Sequence, residues 1–181
     1  MSIHRRVLVL GGARSGKSRT ALQLAERTLA ERTYIATAQA YDDEMRERIA
    51  QHRAERDGSW QTVDAPLELT EAVQARTAPG KAVLVDCLTL WLSNIVLAER
   101  DVARETDRLV QAVQEAKGPL ILVSNEVGQG IVPPTPMGRR FRDEQGRLNQ
   151  RVAEVCDAVV FVAAGCPILL KPAPPLQLRL E

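Results

Sequence analysis

The strongest constraint on this chain lies near its start. There the apolar run Val7-Leu8-Val9-Leu10 passes straight into Gly11-Gly12-Ala13-Arg14-Ser15-Gly16-Lys17-Ser18, and a helical pattern follows. A strand, a G-x-x-x-x-G-K-S turn and a helix in succession form the setting that a phosphate-binding loop requires. Gly11 and Gly16 permit a sharp turn that aims backbone N–H groups at a phosphate chain. The helix start adds unpaired donors and a partial positive charge. Lys17 supplies a point charge for the β and γ phosphates, and the Ser18 hydroxyl is placed to ligate Mg²⁺. A glycine-rich turn with a chance lysine would lack the flanking strand and helix. The pattern reads as a nucleoside triphosphate site.

Other apolar runs recur between longer helical patterns, the arrangement of a parallel sheet covered by helices. Strands are expected over 7–10, 33–36, 82–85, 120–123 and 158–162. Helices are expected over 17–31, 43–56, 66–76, 89–99, 102–117 and 139–155. The tail, 168–180, has room for one or two edge strands, and Pro172, Pro174 and Pro175 exclude a central one. The expected fold is therefore an α/β P-loop NTPase of RecA-like type, a mostly parallel sheet flanked by helices. Pro133-Pro134-Thr135-Pro136 is a stiff loop rather than a linker, so 1–181 reads as one catalytic domain.

Net charge is +1 and aromatic content 3%, which provide neither the basic field nor the stacking platform of a nucleic-acid binder. No run approaches the ~20 apolar residues of a membrane span. The polar start leads directly into the first strand, without room for a signal peptide. Cys87, Cys156 and Cys166 are odd in number, widely spaced and set among mostly apolar residues, which suggests core thiols in a reducing compartment. A cytoplasmic enzyme is expected.

Ligands of open α/β sheets sit beyond the carboxyl ends of the strands. Ala36-Thr37-Ala38 offers small side chains and one hydroxyl there. Asp86, after four apolar residues, fits a Walker B carboxylate that helps hold Mg²⁺. Ser124-Asn125-Glu126 delivers an amide and a carboxylate to the same edge. The Asn-Lys-x-Asp tetrapeptide of regulatory GTPases is absent, and Asp143-Glu144-Gln145-Gly146 lies inside a charged helical segment, so a switch protein is disfavoured.

The segment 42–56 is the second informative stretch. Acidic residues lead and basic ones trail, which suits a helix dipole. Arg48, His52 and Arg56 share a face at (i, i+4) spacing, with Arg53 beside them. Taken alone, such a face is solvated and its histidine incidental. Beside a triphosphate it offers an imidazole nucleophile and phosphate-steadying arginines. His4 lies in a polar stub, which leaves His52 to carry any histidine chemistry.

These blocks resemble, in order, the bifunctional adenosylcobinamide kinase and adenosylcobinamide-phosphate guanylyltransferase family of cobalamin biosynthesis. The resemblance rests on Gly11 to Ser18, Tyr34-Ile35-Ala36-Thr37-Ala38 and Asp43-Glu44-Met45 through to His52. It extends over Trp60-Gln61-Thr62, Val85-Asp86-Cys87-Leu88-Thr89, Ser124 to Pro133, and Phe141-Arg142-Asp143 to Gln150. It implies phosphorylation of the adenosylcobinamide hydroxyl by ATP or GTP. It further implies transfer of GMP from GTP, through a guanylylated His52, to adenosylcobinamide phosphate. Mg²⁺ and Lys17 would stabilise the phosphate charge. The implied nucleotide contacts are Gly11, Gly12, Ala13, Arg14, Ser15, Gly16, Lys17, Ser18, Ala36, Thr37, Ala38, Arg53, Ala54, Glu55, Arg56, Asp64 and Asp86. The family usually has glutamate where this chain has Asp64, one methylene shorter.

Because His52 lies about two turns beyond the strand end, the helix is expected to move on GTP binding. Leu90, Trp91 and Ile95 suggest an assembly face, and a homo-oligomer is expected, a trimer by resemblance. The alternatives are a plain small-molecule or nucleotide kinase without a covalent intermediate, and a GTP-dependent switch module.

Overall fold

The computed structural model describes residues 5–28, 31–54 and 56–174, without the Arg48 side chain. The described elements are β1 (Arg6–Gly11), α1 (Lys17–Glu26), β2 (Glu31–Ala36), α2 (Asp43–Ala54), β3 (Trp60–Asp64), α3 (Leu69–Arg76) and β4 (Lys81–Asp86). They continue with α4 (Leu88–Leu97), α5 (Val102–Glu115), β5 (Leu120–Asn125), α6 (Pro136–Val155), β6 (Ala158–Ala163) and β7 (Cys166–Lys171). One seven-stranded sheet of order β3-β2-β4-β5-β1-β6-β7 runs through them, parallel except for the antiparallel β6–β7 pair. The expected P-loop NTPase architecture is the one observed. No helix among the described residues is long and apolar enough to cross a membrane.

Strand alternation builds the two cores. Leu8, Ile35, Val83, Val85, Leu120 and Leu122 face one side, where α3 to α6 cover them. Val9, Tyr34, Leu84, Ile121 and Val123 face the other, packed with Ala21, Leu22 and Ala25 of α1. The near-continuous apolar strands suit a parallel sheet buried on both faces.

Several expectations need correction. β3 was not foreseen, because Trp-Gln-Thr-Val-Asp is no apolar run. It is an edge strand with Trp60 alone buried. The first helix ends at Glu26, and Glu31 already belongs to β2. β7 realises the expected C-terminal edge strand, whereas residues 175–180 of the tail lie outside the described residues. Helix α4 is a core helix rather than an assembly face. Trp91, Leu92 and Ile95 are fully buried, and Trp91 Nε1 donates to Leu67 O at 3.2 Å. Of α4 only the last residue, Leu97, is an exposed large apolar side chain; the others lie elsewhere, among them Ile168, Leu169 and Leu170 of β7 and Ile131 and Val132 before α6. Cys87 and Cys156 are core thiols, but Cys166 sits exposed on the outermost strand. Asp143 to Gly146 is indeed helical, inside α6.

At the amino edge of the sheet, Asp157 accepts from the backbone N–H of Arg5 (3.0 Å) and Arg6 (2.9 Å) and from the Arg6 guanidinium (2.7 Å). This ties the start of β6 to the start of β1, the strand that carries the phosphate loop. Hydrogen bonding from the Arg6 side chain, joined by the two backbone N–H groups, lowers the Asp157 carboxyl from 3.8 to about 2. Ionised Asp157 thus stabilises the fold fully above its ordinary range, and the contribution is lost as pH falls towards 2. Asp157→Asn is expected to cost about 2 kcal/mol at neutral pH. In urea titrations the gap from wild type should close between pH 4 and pH 2.

Candidate active site

The carboxyl ends of neighbouring strands stand in a row. Asp64 of β3 pairs in register with Ala36 of β2, Ala36 with Asp86 of β4, and Asn125 of β5 with Gly11 of β1. Four strand spacings of about 4.8 Å separate β1 from β3, so the edge from phosphate loop to Asp64 spans roughly 19 Å.

At the β1 end, the loop is packed too tightly for side chains. A Cβ on Gly11 would lie 2.5 Å from Val162 O and collide with Ser15 Oγ, and Gly16 turns at φ 95° to start α1. The Gly165 N–H donates to Ser15 O at 2.8 Å, so the β6–β7 turn props the loop from behind. Lys17 Nζ donates to Gly12 O at 3.1 Å. Burial lowers the Lys17 ammonium from its ordinary value, against the opposing pull of Cys87 and Asp86. Ser15 Oγ is buried without a partner, while Ala13 and Arg14 face outward.

Between the ends, α2 lies across the mouth of this edge rather than on a sheet face. None of its described side chains is buried. Its sequence carries no apolar stripe that a sheet face would cover. His52 Nδ1 stands 3.5 Å from Asp86 Oδ2, so the far end of α2 lies at the active edge. Asp86 Oδ2 also accepts from the Tyr34 hydroxyl at 2.9 Å. Burial, followed by the charge of Asp86, pushes the Tyr34 phenol upward, so it remains a donor. Burial likewise raises the Cys87 thiol to about 12, which leaves it protonated and unreactive.

Lys17, Ser18, Ala36, Ala38, His52, Arg53, Arg56 and Asp86 line one cavity, together with Tyr34, Met45, Ile49, Cys87, Leu90 and Asn125. Asp64 belongs to an adjoining cavity walled by Ala36, Ala38, Ala40, Ile49, Ala50, Arg46 and Arg53. Arg53 faces both and lies 3.9 Å from Asp64. Arg56 keeps its place in the first cavity while also holding its neighbours, and Thr37 lines neither cavity. The Thr37 hydroxyl is fully buried, donating to Cys87 O (2.7 Å) and accepting from Cys87 N–H (2.8 Å). The Arg56 guanidinium stacks 3.6 Å over the Tyr34 ring and donates to His52 O at 2.5 Å. Ala54 lines neither cavity. Glu55 and His4 lie outside the described residues.

Sequence reading missed Tyr34. Its (i, i+2) relation to Ala36 on a strand was the available signal, since both point to one face.

Ser18 and Asp86 offer hard oxygen donors to the same cavity. Asp86 Oδ1 takes no hydrogen bond from the described residues, and those residues form no cluster of three His, Cys, Asp or Glu able to hold a metal. This donor set fits Mg²⁺, which is held by one or two protein oxygens with phosphates and water completing its shell.

The family model for cobinamide kinase / cobinamide phosphate guanyltransferase matches residues 7–170. The chain is 47% identical over 171 residues to the bifunctional adenosylcobalamin biosynthesis protein CobP of Pseudomonas aeruginosa, covering 93% of this chain and 99% of that one. It is 39% identical over 183 residues to the bifunctional adenosylcobalamin biosynthesis protein CobU of Salmonella typhimurium, covering 91% and 99%. Among solved structures, the RadB recombinase is similar at TM-score 0.53 and 16% identity, over 87% of this chain and 74% of that one. An ATPase of a type III secretion system is similar at TM-score 0.52 and 11% identity, over 87% and 50%. These two likenesses concern the fold.

The packing of the loop separates two adjacent glycines. Gly11→Ala forces backbone apart and is expected to destabilise the protein by about 1–3 kcal/mol. Gly12→Ala meets open space and should leave the melting temperature nearly unchanged. Thermal unfolding of the two variants checks this.

Proposed function

The chain belongs to the cobinamide kinase / cobinamide phosphate guanyltransferase family, the bifunctional enzymes of cobalamin biosynthesis, and from that premise we propose how one edge of its sheet performs both transfers. The observation that carries the reading is the placement of His52. The imidazole stands between the phosphate loop and the Asp64 cavity, against the Asp86 carboxylate. That is where the α-phosphorus of a GTP molecule would lie if its outer phosphates sat on the loop and its base reached β3.

In this reading the loop backbone, Lys17 and Arg53 hold the triphosphate. The alanine walls of the second cavity admit a flat base, and Asp64 accepts from the N1–H and N2–H₂ donors of guanine. In the kinase step the terminal hydroxyl of adenosylcobinamide attacks the γ-phosphorus of ATP or GTP and the nucleoside diphosphate leaves. In the guanylyl step His52 Nε2 forms a bond to the α-phosphorus of GTP while the α–β bridging bond breaks and pyrophosphate departs. A phosphate oxygen of adenosylcobinamide phosphate then displaces the imidazole, giving adenosylcobinamide-GDP. Splitting the substitution in two is the gain from a covalent histidine. Asp86, facing Nδ1, favours the tautomer that leaves Nε2 with its lone pair. Mg²⁺, held by Ser18 and Asp86, would supply charge neutralisation on the phosphates.

The proposed compartment is the cytoplasm, where nucleoside triphosphates are available and thiols stay reduced. We propose that the chain works as a single catalytic domain and as a homo-oligomer. The exposed Ile168, Leu169 and Leu170 on the outer strand support the second point. Nothing in the site calls for nucleic acid.

With Mg²⁺ and GTP labelled at the α-phosphate, the denatured protein is expected to retain label that acid releases and alkali spares. His52→Asn should reduce retention to background. A wild-type protein that never retains label would leave the plain kinase as the better reading.

A further inference from the structure

Tyr34 is bound to the His52 region by more contacts than a strand residue needs. Its hydroxyl donates to Asp86 Oδ2 at 2.9 Å, and the same oxygen faces His52 Nδ1 at 3.5 Å. One face of its ring carries the Arg56 guanidinium at 3.6 Å. Arg56 in turn donates to the His52 carbonyl at 2.5 Å, satisfying one of the open carbonyls at the end of α2. The ring itself is held edge-on by Trp60, with centroids 6.3 Å apart and planes at 83°. Trp60 is buried in the core formed with Val9, Ala21 and Leu84, so this anchor is rigid.

The two links act on different parts of His52. Through the hydroxyl, Tyr34 fixes the direction of the carboxylate that the imidazole meets. Through the stacked arginine it fixes the backbone from which the imidazole projects. Helix α2 buries no described side chain of its own, so these attachments must supply the order that packing does not. A guanidinium over an aromatic face is attracted by the ring's electron-rich surface, more strongly where water is excluded.

Resting on the guanylyl-transfer reading above, we propose that Tyr34 is the positioning residue for His52, its hydroxyl orienting the Asp86 carboxylate and its ring seating the arginine that caps α2. Residues chosen only for packing would not require a hydroxyl at this strand position. Tyr34→Phe keeps ring, stack and core while deleting one hydrogen bond.

Two measurements decide the matter. In single-turnover guanylylation, Tyr34→Phe is expected to lower the maximal rate at least fivefold while half-saturating GTP changes less than about twofold. An unchanged rate, or a loss appearing wholly in GTP affinity, overturns the hydroxyl's role. The second measurement needs no activity. The chain has 2 histidines, so in a His4→Gln background ¹⁵N spectra of the nucleotide-free protein report on His52 alone. Wild type should show the Nδ1–H tautomer predominantly and Tyr34→Phe a mixture; identical spectra would sink the proposal. A wild-type protein that takes no label defeats the guanylyl reading, yet the spectra still judge Tyr34. For the ring, Tyr34→Leu should speed hydrogen exchange at the Arg56 amide, which bonds Arg53 O at 3.2 Å in the native chain. Exchange at the wild-type rate would remove the ring from the account.

Discussion

One buried hydroxyl sets the geometry of the active edge. Thr37 sits where β2 ends, and its Oγ1 donates to Cys87 O while accepting from Cys87 N–H, just past the end of β4. Its own N–H donates to Asp86 O at 3.2 Å, and its carbonyl accepts from Asn94 Nδ2 of α4 at 2.8 Å. Every polar group of the residue is thus matched in a fully buried site, where an unmatched one would be costly. The ends of β2 and β4 are held level as a result. Asp86 comes to lie beside the departure point of the chain that returns as α2, and the meeting of Asp86, Tyr34 and His52 follows from that junction.

The electrostatics of the edge follow a single plan. Cations gather where a triphosphate would lie, with Lys17 at the loop and Arg53 between the cavities. Carboxylates stand at spaced points, Asp86 in the middle and Asp64 at the far end. A site of uniform positive charge would bind any polyphosphate with little regard to orientation. Alternating sign along roughly 19 Å of strand ends favours a molecule with anionic phosphates at one end and hydrogen-bond donors at the other.

How far the sequence reveals this depends on the range of the interactions concerned. The phosphate loop was readable because its requirements are local: glycines, a lysine and a hydroxyl at set offsets between a strand and a helix. Asp86 was readable because a buried strand announces its own end. Arg56 lines the cavity, and what else a long cationic side chain does is decided by its neighbours. The ring of Tyr34 and the carbonyl of His52 claim it here. The partners of the Thr37 hydroxyl lie 50 positions away, just past the end of β4, where no local pattern points. Strand β3 escaped because an edge strand buries little and so writes little into its composition. The failed assembly face on α4 has the same origin, since an apolar helix looks alike whether it meets a partner or its own sheet.

The proposed double activity imposes a last geometric condition. In that proposal, attack on the γ-phosphorus would happen at the phosphate loop beyond β1, and attack on a guanylylated His52 beside Asp86 at the end of β4. These strands are separated by β5, so in this proposal the two reacting points are offset along the edge by the length of the triphosphate chain. No single pose of the acceptor arm serves both. After its terminal hydroxyl has become a phosphate, the substrate must shift towards β4 or leave and return. The departing pyrophosphate vacates the loop in the meantime, so the newly charged arm gains an electropositive lining along the path it must follow. The proposed covalent histidine would make that sequence workable, because the guanylyl group would stay in place while the other reactant changes position.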